Sequence, residues 1–432
     1  MHPATRPIRV IGTQSNFERE KLIRPFGFKG GYLTELWQTV SQLSTTSHHQ
    51  IGLATQSVLY GDAELFASYS EAGGNALMYA LTEKALRLVR QIPFHTPLDL
   101  QSTLFPALRA EAITLTGKPD LHENFILNAL VSIDNAAWLL YAAEHGLRRF
   151  EDMLPESYRP TLAHRNANVA VLFQVPYGMP VAELRQAVEQ GYFVFKIKTG
   201  QPGSQSEMLE KDLARLTDIH AVLGTCSTPQ TAQGKVWYTL DANGRYEQKE
   251  TLARYLDHAR KIGAAEQILF VEEPFPEQYH ENVADLGVRI AADESVHDAD
   301  TARQRLEQGY GALVLKGIAK TLSRTLEIAQ VAHERQVPCL CADLTANPIL
   351  VDWNKNVAAR LAPFPELGMG LLETNGDMNY LNWPHMQTYH PAPDAPWTRM
   401  NQGTFALDEE YYRRSGGVLE PSPHYLAMFP RG

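Results

Sequence analysis

Residues 194–198 read VFKIK, residues 236–241 VWYTLD, residues 268–272 ILFVE and residues 312–316 ALVLK. Each is a short apolar run with a charged residue at its carboxyl end. Three further runs follow the same rule, 288–292 with Asp293 behind it, 338–342 with Asp343, and 368–372 with Glu373, and an eighth apolar run, 169–175, precedes them without a charge at its end. Near-continuous apolar runs of this length are expected of parallel strands covered on both faces. Between them lie stretches with helical periodicity, at 180–190, 206–223, 249–262, 300–308, 322–335 and 348–361. Only the 274–286 segment is too short for a full helix. Strand–helix alternation carried to eight strands predicts an α/β chain with a modified (β/α)8, TIM-type barrel.

Outward from this core the pattern changes. Residues 1–162 predict an α+β capping domain, with strands near 9–13 and 50–59 and helices at 72–90, 104–115 and 124–145. The barrel is expected over 163–383. Residues 384–432, rich in Pro and aromatic residues, read as an irregular tail that completes the cap.

The carboxyl ends of barrel strands form the active-site face of such folds. Lys196 and Lys198 are two apart on a strand and share a face, as do Asp241 and Asn243. Of Glu272 and Glu273, and of Asp293 and Glu294, one of each pair is expected to point inward. With Asp241, that makes three carboxylates on the third, fourth and fifth strands, which converge. Three converging carboxylates require a cation. All-oxygen ligands select a hard divalent ion, with Mg2+ the first choice. Lys198 and Lys316, on the second and sixth strands, flank that point. Near a second lysine and a divalent ion, a lysine is expected to have a lowered pKa and to serve as a base. A cation that holds a substrate carboxylate and stabilises an enediolate suits removal of the proton α to that carboxylate.

The strings FKIKTG (195–200), LDANGRY (240–246), FVEEPF (270–275), AADES (291–295) and LVLKG (313–317) resemble the enolase superfamily. The K-x-K pair with a sixth-strand lysine is similar to the muconate lactonizing enzyme-like subgroup. The resemblance implies Asp241, Glu272 and Asp293 as metal ligands and Lys198 and Lys316 as the acid/base pair. It implies Lys196 as the lysine that assists them, and Asn243 and Glu373 as groups beside the substrate. It also implies cap loops around 23–32 and 54–60 that close over the substrate, with Lys29 as a candidate contact. Asp343 is open to either a substrate contact or a structural role. Racemase or epimerase, cycloisomerase and dehydratase outcomes all remain open. Glu373-Thr374-Asn375 replaces the Asp-x-Asp of the subgroup's dipeptide epimerases and argues against that activity. Two departures from the family pattern are the polar stretch 224–234 and the long tail.

Bulk properties agree. The chain has 432 residues and a net charge of -10. Such a charge opposes binding to nucleic acid or to an anionic membrane. The apolar run around 136–143 is too short for a membrane span, and three cysteines fit a reduced, cytoplasmic protein. The expected partner is a small carboxylate substrate, with a homo-oligomer possible on resemblance alone. A Schiff-base aldolase using Lys316 and a non-catalytic binding homologue are the competing readings. The first leaves the three carboxylates without a purpose, and the second leaves the whole filled motif set without one.

Overall fold

Eight parallel strands close on themselves: β4 (Asn168–Val175), β5 (Val194–Lys198), β6 (Trp237–Asp241), β7 (Ile268–Glu272), β8 (Ile290–Ala292), β9 (Ala312–Leu315), β10 (Cys339–Cys341) and β11 (Gly370–Glu373). They lie side by side in chain order, and β11 pairs with β4 to complete the barrel. This computed structural model describes residues 6–28 and 31–429. The register decides where chemistry can occur. Lys198 lies opposite Asp241, and Asp241 opposite Glu272, so these three strands end level. Phe195 and Ile197 alternate with the two lysines of β5 and are buried with the apolar core.

Five of the predicted interstrand helices occupy Val181–Glu189, Gln205–Leu223, Lys249–Ile262, Ala299–Glu307 and Leu322–Glu334, and a sixth, Pro348–Arg360, follows β10. Their ends carry the expected signals: Ser204 caps its helix in a capping box with Glu207, and Gly263 ends another in the left-handed conformation. Between β7 and β8 the chain makes only a single 3-10 turn, Ala284–Leu286.

The cap differs from expectation in its strands. β1 (Gly12–Phe28) and β2 (Gly31–Ser44) form one long hairpin, and β3 (His49–Gln56) adds to β2, all antiparallel. The predicted strand at 9–13 is thus only the start of a 17-residue strand, and β2 was not predicted. For β1 the cause is exposure. Most of β1 is exposed or half-buried, so its sequence, TQSNFEREK, lacks a clear apolar alternation.

Helices Ala63–Val89, Pro97–Thr116 and Glu123–His145 pack behind this sheet. The last is long and apolar enough to cross a membrane by length and composition, but 89 % of its most apolar window is buried inside the protein. It approaches β3 very closely at Gly52, where a Cβ would stand 2.1 Å from the Ser132 carbonyl oxygen and 2.2 Å from the Ala136 nitrogen. The same helix reaches the barrel. Trp138 Nε1 donates to Ser323 Oγ at 3.1 Å, and Asp134 accepts from the Ser323 hydroxyl and from its amide.

The tail serves both regions. β12 (Thr404–Ala406) runs antiparallel along the start of β4, and Lys355 Nζ donates to the Trp397 carbonyl at 2.7 Å. Farther on, Asn16 Nδ2 donates to the Met428 carbonyl, and His424 meets Glu18 at 2.9 Å on β1. The polar stretch 224–234 folds back on itself, with Ser227 bridged to Lys235. Cys226, Cys339 and Cys341 are unpaired.

Gly52→Val is expected to cost at least about 2–3 kcal/mol, because the clash is with backbone that cannot rotate away. Urea unfolding measures it. Burial pushes the Asp134 carboxyl up to about 6 against the hydrogen bonds from Ser323. Its folded pKa lies above its unfolded value, so this contribution is full below about pH 4 and is lost as pH rises through 6, a difference of about 3 kcal/mol. Asp134→Asn should therefore flatten the fall in stability between pH 4 and 7 relative to wild type, as read by thermal melts.

Candidate active site

At the carboxyl ends of the barrel strands a small cavity of about 50 Å3 is lined by Lys196, Lys198, Asp241, Asn243, Glu294, Lys316, Asp343 and Glu373. Glu272 and Asp293 form its buried floor. Lys29 lies outside the described residues; every other sequence-predicted site residue is brought to this one place.

The inward side of β5 supplies two ammonium groups. Lys196 Nζ touches Asp241 at 3.1 Å, Glu272 at 2.8 Å and Glu373 at 2.6 Å. Lys198 Nζ donates to Asp241 Oδ2 at 2.5 Å and to Asn243 Oδ1 at 3.0 Å. Across the barrel, Lys316 Nζ donates to Asp293 Oδ2 at 2.5 Å and lies 5.1 Å from the centre of the Tyr60 ring. Glu373 also accepts from Gln174 Nε2.

Of the adjacent acids, Glu272 faces inward, while Glu273 turns to the β8 backbone and accepts from the Asp293 amide at 2.6 Å. The expected choice between Asp293 and Glu294 does not hold. Asp293 takes Lys316, and Glu294 also lines the cavity, accepting from Asn243 Nδ2 at 3.0 Å. Both residues lie beyond the last residue of β8, Ala292, where strand alternation no longer applies.

The electrostatics follow from burial against charge. Burial pushes Glu272 well above its usual range, and the Asp241 charge adds to this; Lys196 only partly opposes them. Burial also acts on Asp241 and Asp293, but their lysine partners win and hold both well below the usual carboxylate range. The lowered lysine pKa expected from sequence is not what the protein alone produces. Burial lowers Lys196 and Lys316, yet Asp241 and Glu272 on one side and Asp293 on the other outweigh it and raise both. Carboxylates, not positive charges, are their nearest neighbours.

The acids fit a hard divalent cation. All three offer oxygen from neighbouring strands. Glu272 Oε2 and Asp293 Oδ1 are buried with no hydrogen-bond partner, an unfavourable state for a carboxylate oxygen. Asp343 is buried at the opposite wall. Burial and the nearby Glu373 charge push it up to about 7.

Sequence reading missed four contributors. Gln174 lies on β4 inside a string that reads as a plain apolar strand. Tyr60 comes from the cap, where no local pattern aims a side chain at the barrel. Glu294 is explained above. Lys320, one helical turn after Lys316 in KGIAK, is buried; its Nζ donates to the carbonyls of Asp293 at 2.5 Å and Val296 at 2.9 Å. Burial lowers its pKa despite the adjacent Asp293. The i, i+4 spacing of two lysines in an apolar setting was the available signal.

The cap closes the mouth. The end of the β1–β2 hairpin places Phe26 and Leu33 against the cavity, and Ser57 and Tyr60 follow β3. The hairpin is held to the barrel where the Leu381 amide donates to the Lys21 carbonyl at 2.9 Å. Outside Phe26, Gln174, Asn243 and Asn375, the space widens to a vestibule of about 510 Å3 bordered by Arg24, Tyr32, Tyr177 and Arg245.

Residues 180–386 match the family described as enolase C-terminal domain-like. The o-succinylbenzoate synthase of Yersinia pseudotuberculosis is 28% identical over 162 residues, 36% of this chain and 46% of that protein. The matched stretch thus spans about half the length of the curated relative. Among solved structures, a mandelate racemase/muconate lactonizing protein from Herpetosiphon aurantiacus superposes with a TM-score of 0.62 at 14% identity, covering 94% of this chain and 97% of that one. A dipeptide epimerase from Enterococcus faecalis, complexed with Mg and L-Leu-L-Tyr, gives 0.62 at 16% identity over 87% and 93%. An N-succinyl Arg/Lys racemase from Bacillus cereus gives 0.61 at 13% identity over 87% and 89%.

Lys320→Met removes the ammonium donor from the carbonyls of Asp293 and Val296; that of Asp293 keeps the Val296 amide at 3.1 Å. The expected loss is about 2–4 kcal/mol of stability, read by urea unfolding. A variant as stable as wild type would show that other donors replace the ammonium.

Proposed function

We propose that this chain, whose residues 180–386 match the enolase C-terminal domain-like family, is an enolase-superfamily isomerase or lyase whose first step removes the proton α to a substrate carboxylate. One observation carries the reading: three carboxylates, one with a buried oxygen that has no hydrogen-bond partner, converge between lysines on opposite walls of one cavity. Asp241, Glu272 and Asp293 would hold Mg2+, which when bound supplies a Lewis acid for the negative charge that develops on the carboxylate oxygens.

The chain's own groups do the rest. Lys198 and Lys316 approach from opposite sides, so either Nζ can take the α-proton and the other can return one to the far face. A racemase or epimerase needs both positions; a lyase that eliminates on one face needs one. Lys196, held by Asp241, Glu272 and Glu373, keeps a positive charge beside the substrate carboxylate. Asn243 fixes Lys198 and Glu294 in place through its two amide atoms. Glu373 and Asp343 face the substrate from the wall opposite the metal ligands, and the cap residues Phe26, Leu33 and Tyr60 exclude water. Ion pairs to carboxylates hold Lys196 and Lys316 protonated; Lys316 could act as base only where Asp293 turned its charge to a bound cation, which would weaken that hold. The substrate is a small organic carboxylate.

The test is a screen of carboxylic acids for α-proton exchange in deuterated water with Mg2+. A chelator is expected to abolish exchange, and Mg2+ to restore it. Lys198→Ala and Lys316→Ala are each expected to slow exchange at one stereochemical face by about 10^2–10^4. Exchange that survives in the double variant would remove the lysines from this role.

A further inference from the structure

A second group of metal-binding side chains lies away from the barrel cavity, where the cap meets the barrel. His122 stands at the start of helix Glu123–His145, Glu277 in the segment after β7, and His297 in the segment after β8. His122 Nε2 is 3.1 Å from one Glu277 oxygen, and His297 Nε2 is 2.8 Å from the other. One ligand atom from each residue lies within 4.8 Å of the other two. Three segments far apart in sequence therefore present two imidazoles and a carboxylate to one point.

The surroundings favour a cation at that point. His297 is buried, and its Nδ1 faces the side-chain oxygen of Asn124 at 3.1 Å. An acceptor there keeps the proton on Nδ1 and turns the Nε2 lone pair toward Glu277, the outer-partner arrangement usual for metal-bound histidine. The His297 Nε2 and a Glu277 oxygen then face each other at 2.8 Å as two donors for one cation. His122 Nδ1 accepts the Asn124 amide at 3.2 Å. Coordination through Nε2 moves its proton to Nδ1 and gives up that one long bond in exchange for three metal–ligand bonds. Bonds of about 2.0–2.1 Å in a tetrahedral site set ligand spacings of about 3.3 Å, so the two contacts, made to different Glu277 oxygens, open by a few tenths of an ångström while the widest separation, within 4.8 Å, closes. A groove of about 360 Å3 runs past Glu277, His280 and Ser295 and admits a water as fourth ligand.

We propose that His122, Glu277 and His297 form a zinc-type site that clasps the cap to the barrel. Its nitrogen-rich donor set selects Zn2+ or Co2+ and distinguishes it from the all-oxygen cluster of the barrel.

The metal-stripped full-length protein is dialysed against Zn2+ with Mg2+ in large excess, and bound zinc is counted for wild type, His297→Ala and Glu277→Gln. Both variants are expected to bind one equivalent fewer than wild type. Added Zn2+ should raise the melting temperature of wild type but of neither variant. Where His297→Ala does not fold, the more exposed His122→Gln takes its place. Cobalt-loaded wild type should show imidazole-ligated absorption that each variant loses. Equal zinc content in wild type and variants, or zinc-independent melting of wild type, overturns the site.

Discussion

Three carboxylates gathered at the closed end of a barrel repel one another in a medium where water cannot screen them. At about 4 Å and an effective dielectric near 20, each pair of unit charges costs about 4 kcal/mol. The protein answers with lysines: Lys196 between Asp241, Glu272 and Glu373, Lys198 on Asp241, Lys316 on Asp293. The compensation is incomplete, as the buried Glu272 oxygen without a hydrogen-bond partner shows. That residual negative charge gives the site its preference for a hard cation. It also places the anion-attracting lysines where a substrate carboxylate would arrive, against the overall negative charge of the chain.

The rest of the molecule holds this arrangement still. The level register of β5, β6 and β7 puts Lys198, Asp241 and Glu272 in one row. Lys320 ties the carbonyls beyond β8 to the turn after β9, which keeps Asp293 and Lys316 on facing segments. The cap helix joins in from outside: Asp134 and Trp138 grip Ser323 at the head of the helix that follows Lys320. The cap thus does more than cover the mouth. It is anchored to the same side of the barrel that carries two of the charged residues.

The barrel was legible because its strands are short, doubly buried and apolar, with the charges confined to their ends. That pattern survives without any knowledge of neighbours. Strand β1 of the cap hairpin was not legible for the opposite reason. The side chains of β1 are mostly exposed or half-buried, so pairing between main chains, which leaves no mark on composition, defines that strand; β2 is mostly buried, so exposure does not account for it. The pairing of two charged residues with each strand end was legible only while the strand lasted. Past Ala292 the chain turns, and Glu294 joins Asp293 at the cavity despite being adjacent to it.

Residue order alone established the number of barrel strands, the gathering of acids from three neighbouring strand ends and the two-apart lysines, because strand periodicity and backbone direction are local properties. Only the folded chain decided which charges neutralise which. Lys196 meets acids from residues 241, 272 and 373, and Lys320 supports a turn more than twenty residues upstream. The direction of the lysine shifts was also decided there. A pKa depends on the nearest charges through space and on the loss of water, and neither is a function of distance along the sequence.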